Sequence, residues 1–204
     1  MDAALNVANW VAGDYRLDPP IDGAALPVFV DCPGSVCLFN GNASPYNPDQ
    51  NFCAVQLIRE LIVKLGLAPE DIVPITPYRE NLKHLEQALK QVASDPAGPA
   101  SLSDVAPATT GSLQGREGQV VILVLVVTQE NSPQFVANRH HICVGITRHS
   151  GALFIIGDIN TVSAGAPAAE LNRAEHHEGE EGEVESSRPT SSRNFSRISV
   201  TTAV

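Results

Sequence analysis

Residues 110–128 read TGSLQGREGQVVILVLVVT, a polar turn that runs directly into eight consecutive apolar residues, Val120 to Val127. An uninterrupted apolar run of this length, rich in β-branched residues and bounded by a turn, predicts a strand over Val120–Thr128 that is buried on both faces. Strands of that kind belong to parallel sheets covered by helices on both sides. Four polar residues, Gln114, Gly115, Arg116 and Glu117, stand at its mouth. In open parallel sheets, ligands bind outside the carboxyl ends of the strands, where loops bring polar groups together. Three polar clusters lie beside strands here, TPYRENL after the second strand, QGRE before the long one and GITRH before the last, and together they are candidate ligand sites.

The surrounding chain follows the same grammar. LPVFVD (Leu26 to Asp31) reads as a short buried strand, closed by Pro33 and Gly34. From Pro48 to Leu65, Phe52, Val55, Leu57, Ile58, Leu61, Ile62 and Leu65 fall at helical spacing, with Gly66 placed to cap the last turn. DIVPIT (Asp71 to Thr76) is a second strand, and Leu82, Leu85, Ala88, Leu89 and Val92 mark a second amphipathic helix. A short helix is expected around Arg139 to Thr147, and ALFIIGD (Ala152 to Asp158) supplies a last strand. Alternating strands and helices predict an α/β fold with a parallel sheet. Residues 1–25, rich in Asp, Pro and Gly, are expected to form an irregular lead-in. Residues 162–204, with a block of Glu and few core-forming residues, are expected to be a disordered acidic, Ser-rich tail.

Composition sets limits on function. The chain has 204 residues and a net charge of −10 from 13 Lys plus Arg against 23 Asp plus Glu, which argues against tight autonomous binding to nucleic-acid phosphates. No apolar run approaches the roughly 20 residues of a membrane helix, and MDAALNVANW lacks the pattern of a signal peptide, so an intracellular protein without membrane association is expected, nucleus and cytoplasm being indistinguishable. Four scattered cysteines, Cys32, Cys37, Cys53 and Cys143, predict reduced thiols rather than a disulfide framework. Cys32 and Cys37 with His140 and His141 have poor zinc-ligand geometry, and no metal site is expected. Cys143 near His141 lacks the glycine-rich turn and orienting residue of a thiol nucleophile and reads as a buried thiol.

Five blocks, VFVDCPG, SPYNPDQNFCAVQLIREL, DIVPITPYRENL, TTGSLQGREGQVVIL and ICVGITRHSGALFIIGD, occur in an order and spacing that resemble the second RecA-like domain of the up-frameshift-like superfamily 1B helicases, over about residues 26–160. The resemblance implies a RecA-like, three-layer fold of the P-loop NTPase superfamily, the C-terminal helicase domain only, over residues 26–161. It also implies half of a cleft for ATP and nucleic acid. Gln114, Gly115 and Glu117 match the family's Gln-Gly-x-Glu turn, so that Gly115 lets the backbone approach the nucleotide and Glu117 accepts hydrogen bonds from the ribose hydroxyls. Arg148 matches the arginine that reaches the γ-phosphate, the catalytic role and a cofactor contact. Thr76, Tyr78, Thr110 and Gln114 correspond to positions along the nucleic-acid path.

The departures are specific. Asn81 stands where the family usually has Gln, Gln119 where it has Asp, Cys143 where it has Asn and His149 where it has a small residue. No GxxxxGK[ST] phosphate loop and no acidic Mg-binding block is present, so ATP is expected to be shared with a first RecA-like domain and Mg to be held only through that domain. YRLDP (Tyr15 to Pro19) faintly resembles the family's nucleotide-stacking motif but lies too close to the first strand. The expected partners are such a first domain, or a full helicase, and weakly bound single-stranded nucleic acid. The alternative is a degenerate, non-catalytic protein-interaction module that keeps only the fold. On the residues alone QGRE is a solvated turn, Arg148 a surface or ion-paired arginine, and Tyr78 packs at a strand end or faces a ligand.

Overall fold

The computed structural model describes residues 6–7, 9–10, 13–14, 27–113, 117–131, 143, 145–161 and 199–202. Chain order gives β1 (Val28–Asp31), a two-stranded hairpin of β2 (Leu38–Phe39) and β3 (Pro45–Tyr46), α1 (Pro48–Leu65), β4 (Ile72–Thr76), α2 (Arg79–Ala93), β5 (Ala108–Thr109), β6 (Gly118–Val124), β7 (His149–Gly157) and β8 (Ser199–Thr202). The main sheet has the order β5-β4-β6-β7-β1-β8. Its first five strands are mutually parallel, and β8 runs antiparallel along β1. This is the α/β, RecA-like architecture.

The helices start and stop where their residues dictate. Asn47 caps α1 by accepting the Gln50 N–H through its side chain at 3.1 Å, and Pro48 occupies the first turn, where its missing N–H leaves no helical bond unmade. Gly66 ends the helix with φ +67°, a conformation open to glycine, and returns its N–H to Ile62 O at 3.1 Å. Both helices lie on one face of the sheet. There Ala54, Ile58, Leu61, Leu85 and Leu89 pack against Val30, Ile72, Val120, Ile122 and Phe154. The opposite face is covered differently: Leu113 and Ile146 close over Val73, Ile75, Val121, Leu123 and Leu153. Successive residues of β6 therefore contribute to opposite layers, which explains its uninterrupted apolar sequence.

Four expectations change. Cys143, read from the sequence as a buried thiol, is exposed. β6 ends at Val124 rather than Thr128: Leu125 still donates its N–H to Ile156 O at 2.9 Å, and the chain then turns away at Val126, which takes φ +76°. The described residues of the lead-in, Asn6, Val7, Asn9, Trp10, Gly13 and Asp14, are helical rather than irregular, and Val7 and Trp10 pack on the core. Within the tail expected to be disordered, Ser199–Thr202 instead pair with Val28–Asp31, since an open strand edge accepts any extended segment that supplies its hydrogen bonds. The rest of 162–204, and most of the short helix expected at 139–147, lie outside the described residues.

Leu113 is fully buried and is the anchor by which residues 110–113 cover their face of the sheet. Leu113→Ala is expected to lower stability by about 2–5 kcal/mol in denaturant titration. A loss below about 1 kcal/mol would mean that this face is closed by other groups.

Candidate functional site

The sheet separates the sequence-predicted site residues onto two edges. Thr76 ends β4 and Thr110 follows β5, so both lie at the carboxyl edge, with Tyr78 just beyond. Glu117 precedes β6 and Arg148 precedes β7, at the amino edge. Residues 110–117 connect the two edges, with Leu113 buried on the way. Gln114 and Gly115, with Arg116 beside them, lie outside the described residues.

The carboxyl edge is closed by its own hydrogen bonds. Asn81 Nδ2 donates to Asn51 Oδ1 at 2.9 Å and to Thr76 Oγ1 at 3.1 Å, while Asn81 Oδ1 accepts from Asn51 Nδ2 at 2.9 Å and from the Asn47 N–H at 3.0 Å. Both donors and both acceptor positions of the amide are used. This gives the departure at Asn81 a structural reason: it is paired to Asn51. Thr76 is fully buried with its hydroxyl committed inward, and Thr110 is buried and donates its N–H to Thr76 O at 3.2 Å. Of the three described nucleic-acid candidates only Tyr78 is partly exposed, while packing against the core.

A second group of amides holds the loop after β6. Gln50 Oε1 accepts the Val126 N–H at 2.7 Å, and Asn47 Nδ2 donates to Val126 O at 2.9 Å. Gln50 Nε2 reaches Val127 O at 3.3 Å and Ser35 Oγ at 3.3 Å. Positive φ at a β-branched residue is an outlier costing about 1–3 kcal/mol, and it persists only where the surroundings over-determine it. Asp158 completes the closure by accepting the Gln129 N–H at 2.9 Å.

The amino edge is different. Glu117 is exposed and makes no hydrogen bond or ion pair among the described residues. Arg148 is half-buried, and its Nε and the Nδ1 of His149 are buried without a partner among those residues. Buried polar atoms are normally satisfied, so these two nitrogens are exceptions in the interior. The two residues are tied together through the backbone: the Gly118 N–H donates to Arg148 O at 3.0 Å. Gly118 itself fits only without a side chain, since a Cβ there would lie 2.6 Å from Val73 Cγ2 and 3.2 Å from Asp71 O. Glu117 and Arg148 thus stand immediately before two adjacent parallel strands at one edge of the sheet.

Sequence reasoning did not find Gly118, nor the Asn47, Gln50, Asn51 and Val126 set. The helix-start pattern Asn47-Pro48 was a signal for the cap alone. Among the described residues no helix is long and apolar enough to cross a membrane.

A mostly parallel sheet with helices packed on it defines the chain as an α/β domain of RecA-like fold. Residues 19–160 match the family model AAA_12, described as an AAA domain, and the chain belongs to that family. It is 28% identical over 185 residues to the DNA replication ATP-dependent helicase/nuclease DNA2 of Bos taurus, and 26% identical over 182 residues to that of Mus musculus, in each case over 83% of this chain. It is also 30% identical over 102 residues, half of this chain, to the DNA polymerase alpha-associated DNA helicase A of Schizosaccharomyces pombe. The matches span only 14–17% of the length of these relatives. The chain is a helicase-like domain.

Gln50→Ala is expected to lower stability by about 2 kcal/mol or more, because it leaves the Val126 N–H buried without an acceptor. Hydrogen exchange at 125–129 is expected to accelerate more than in the core of β6. Unchanged exchange there would show that the loop is held by other contacts.

Proposed function

We propose that this chain acts as the second RecA-like domain of a superfamily 1B helicase, supplying one wall of an ATP cleft whose phosphate loop and Mg ligands come from a first RecA-like domain. The observation that carries the reading is the amino edge, where exposed Glu117 and the unpartnered Nε of Arg148 are held on neighbouring strands by the Gly118–Arg148 backbone bond. The similarity to proteins named as helicases, one of them ATP-dependent, supports the same assignment.

In this reading Glu117 binds the ribose and Gly115 lets the backbone come close. Arg148 donates to the γ-phosphate and stabilises the charge that develops during transfer. Bound nucleotide supplies the phosphoryl chemistry; this chain orients it and neutralises charge. Single-stranded nucleic acid meets Tyr78 and Gln114, with Thr76 and Thr110 supporting them from inside. The acidic balance keeps that contact weak in the isolated chain.

The second reading is a non-catalytic interaction module. The internal commitment of the Thr76 hydroxyl to Asn81 favours it, because that group is withdrawn from any strand.

The isolated chain is expected to turn over ATP at background, since the phosphate-binding Lys and Mg ligands are absent from its sequence. In a complex with a first RecA-like domain that restores turnover, Arg148→Ala is expected to lower kcat by about a thousandfold or more. Glu117→Ala is expected mainly to raise KM for ATP, since ribose contacts are alike in ground and transition states. Steady-state ATPase assays on both variants decide the matter: wild-type kinetics in both would hand the chain to the interaction-module reading.

A further inference from the structure

The cysteines fall into place in an unexpected pairing. Cys32, immediately after β1, and Cys53, in the second turn of α1, bring their Sγ atoms to 3.3 Å, and both are buried. They are 21 residues apart in sequence, and the segment between them carries the β2–β3 hairpin and the Asn47 cap. Cys37 is buried separately, Cys143 is exposed, and no cluster of three metal-ligating side chains occurs among the described residues. The contact is between two thiols.

We propose that Cys32 and Cys53 are a peroxide-sensitive thiol pair that closes to a disulfide joining the end of β1 to α1. The environment divides the roles. The hydrogen bond from the Cys32 thiol lowers the pKa of Cys53 against the opposing effect of burial, while that same contact, burial and the neighbouring acidic side chains push Cys32 up. With the Cys32 thiol directed onto it at 3.3 Å, Cys53 is assigned as the attacking sulfur and Cys32, already in contact, as the resolving one.

The chemistry balances with hydrogen peroxide as the oxidant. The Cys53 thiolate attacks one peroxide oxygen, the O–O bond breaks, and hydroxide leaves with Cys53 as its sulfenic acid. The Cys32 sulfur then attacks the Cys53 sulfur, the S–O bond breaks and water leaves, so that two thiols are oxidised and one peroxide is reduced to two waters. Both sulfurs are shielded from solvent, which favours an oxidant close to water in size over a bulky disulfide. Closure requires the sulfurs to approach from 3.3 Å to about 2.0 Å, a small movement for the start of a helix. The bond would brace Ser35, Asn47 and Gln50, which lie within the closed loop and hold the strained turn at Val126.

The test uses the full chain with Cys143→Ser, treated under native conditions with limiting hydrogen peroxide, then denatured, alkylated and mapped by mass spectrometry without reduction. The expected result is loss of both the Cys32 and the Cys53 free thiols into one linked peptide that dithiothreitol reverses, with Cys37 still alkylated. Treating Cys32→Ser in the same background with dimedone should trap a sulfenic acid on Cys53. If that variant does not fold, the mapping of the parent chain decides alone. Cys32 and Cys53 both remaining alkylatable, or a linked peptide containing Cys37, would overturn the proposal.

Discussion

The structure depends on a set of buried amides that hold the carboxyl edge of the sheet. Asn47, Gln50, Asn51 and Asn81 are all buried, and together they bond the end of β4, the cap of α1 and the loop after β6. Each amide is expensive to bury unpaired, so the network is stable only when complete. It fixes where α1 begins, keeps Val126 at positive φ, and places α1 and α2 side by side over one face. A network this saturated leaves few donors at this edge for a ligand.

The consequence is a division of labour between the edges. Parallel sheets usually bind ligands at the carboxyl ends of their strands, where loops are free to diverge. Here Thr76, Thr110 and Asp158 at that edge are occupied internally, whereas at the amino edge Glu117 is exposed and Arg148 Nε and His149 Nδ1 are buried without a partner among the described residues. The loop from Thr110 to Glu117 joins the two, with Leu113 buried against the sheet as it goes. On the proposed reading, the amino edge is the wall that faces nucleotide, and the carboxyl edge serves mainly the domain's own integrity.

Much of this was legible in the residues. The run Val120–Val127 announced a strand buried on both faces, and the helical spacing from Phe52 to Leu65 gave α1 almost to its ends. Arg148 and Glu117 stand in ordered blocks, which is why the sequence offers them as candidates. What could not be read is tertiary in origin. The sequence VLVV gives no hint that Val126 departs from the strand, because the cause is Gln50, 76 residues away. The partner of Asn81 is Asn51 on another helix, and the edge position of Ser199–Thr202 depends on an open flank of β1. The opposite placement of Thr76 and Glu117, by contrast, follows directly from the predicted parallel sheet, since one residue ends its strand and the other precedes its own.

The central claim is that nucleotide meets this domain at its amino edge. Hydrogen exchange measured by mass spectrometry, on the chain assembled with a first RecA-like domain and with or without a non-hydrolysable ATP analogue, tests it most directly. The account predicts nucleotide-dependent protection at residues 114–118 and 145–149 and little change at 125–131. Protection confined to 125–131, with the 114–118 and 145–149 segments unaffected, would contradict it.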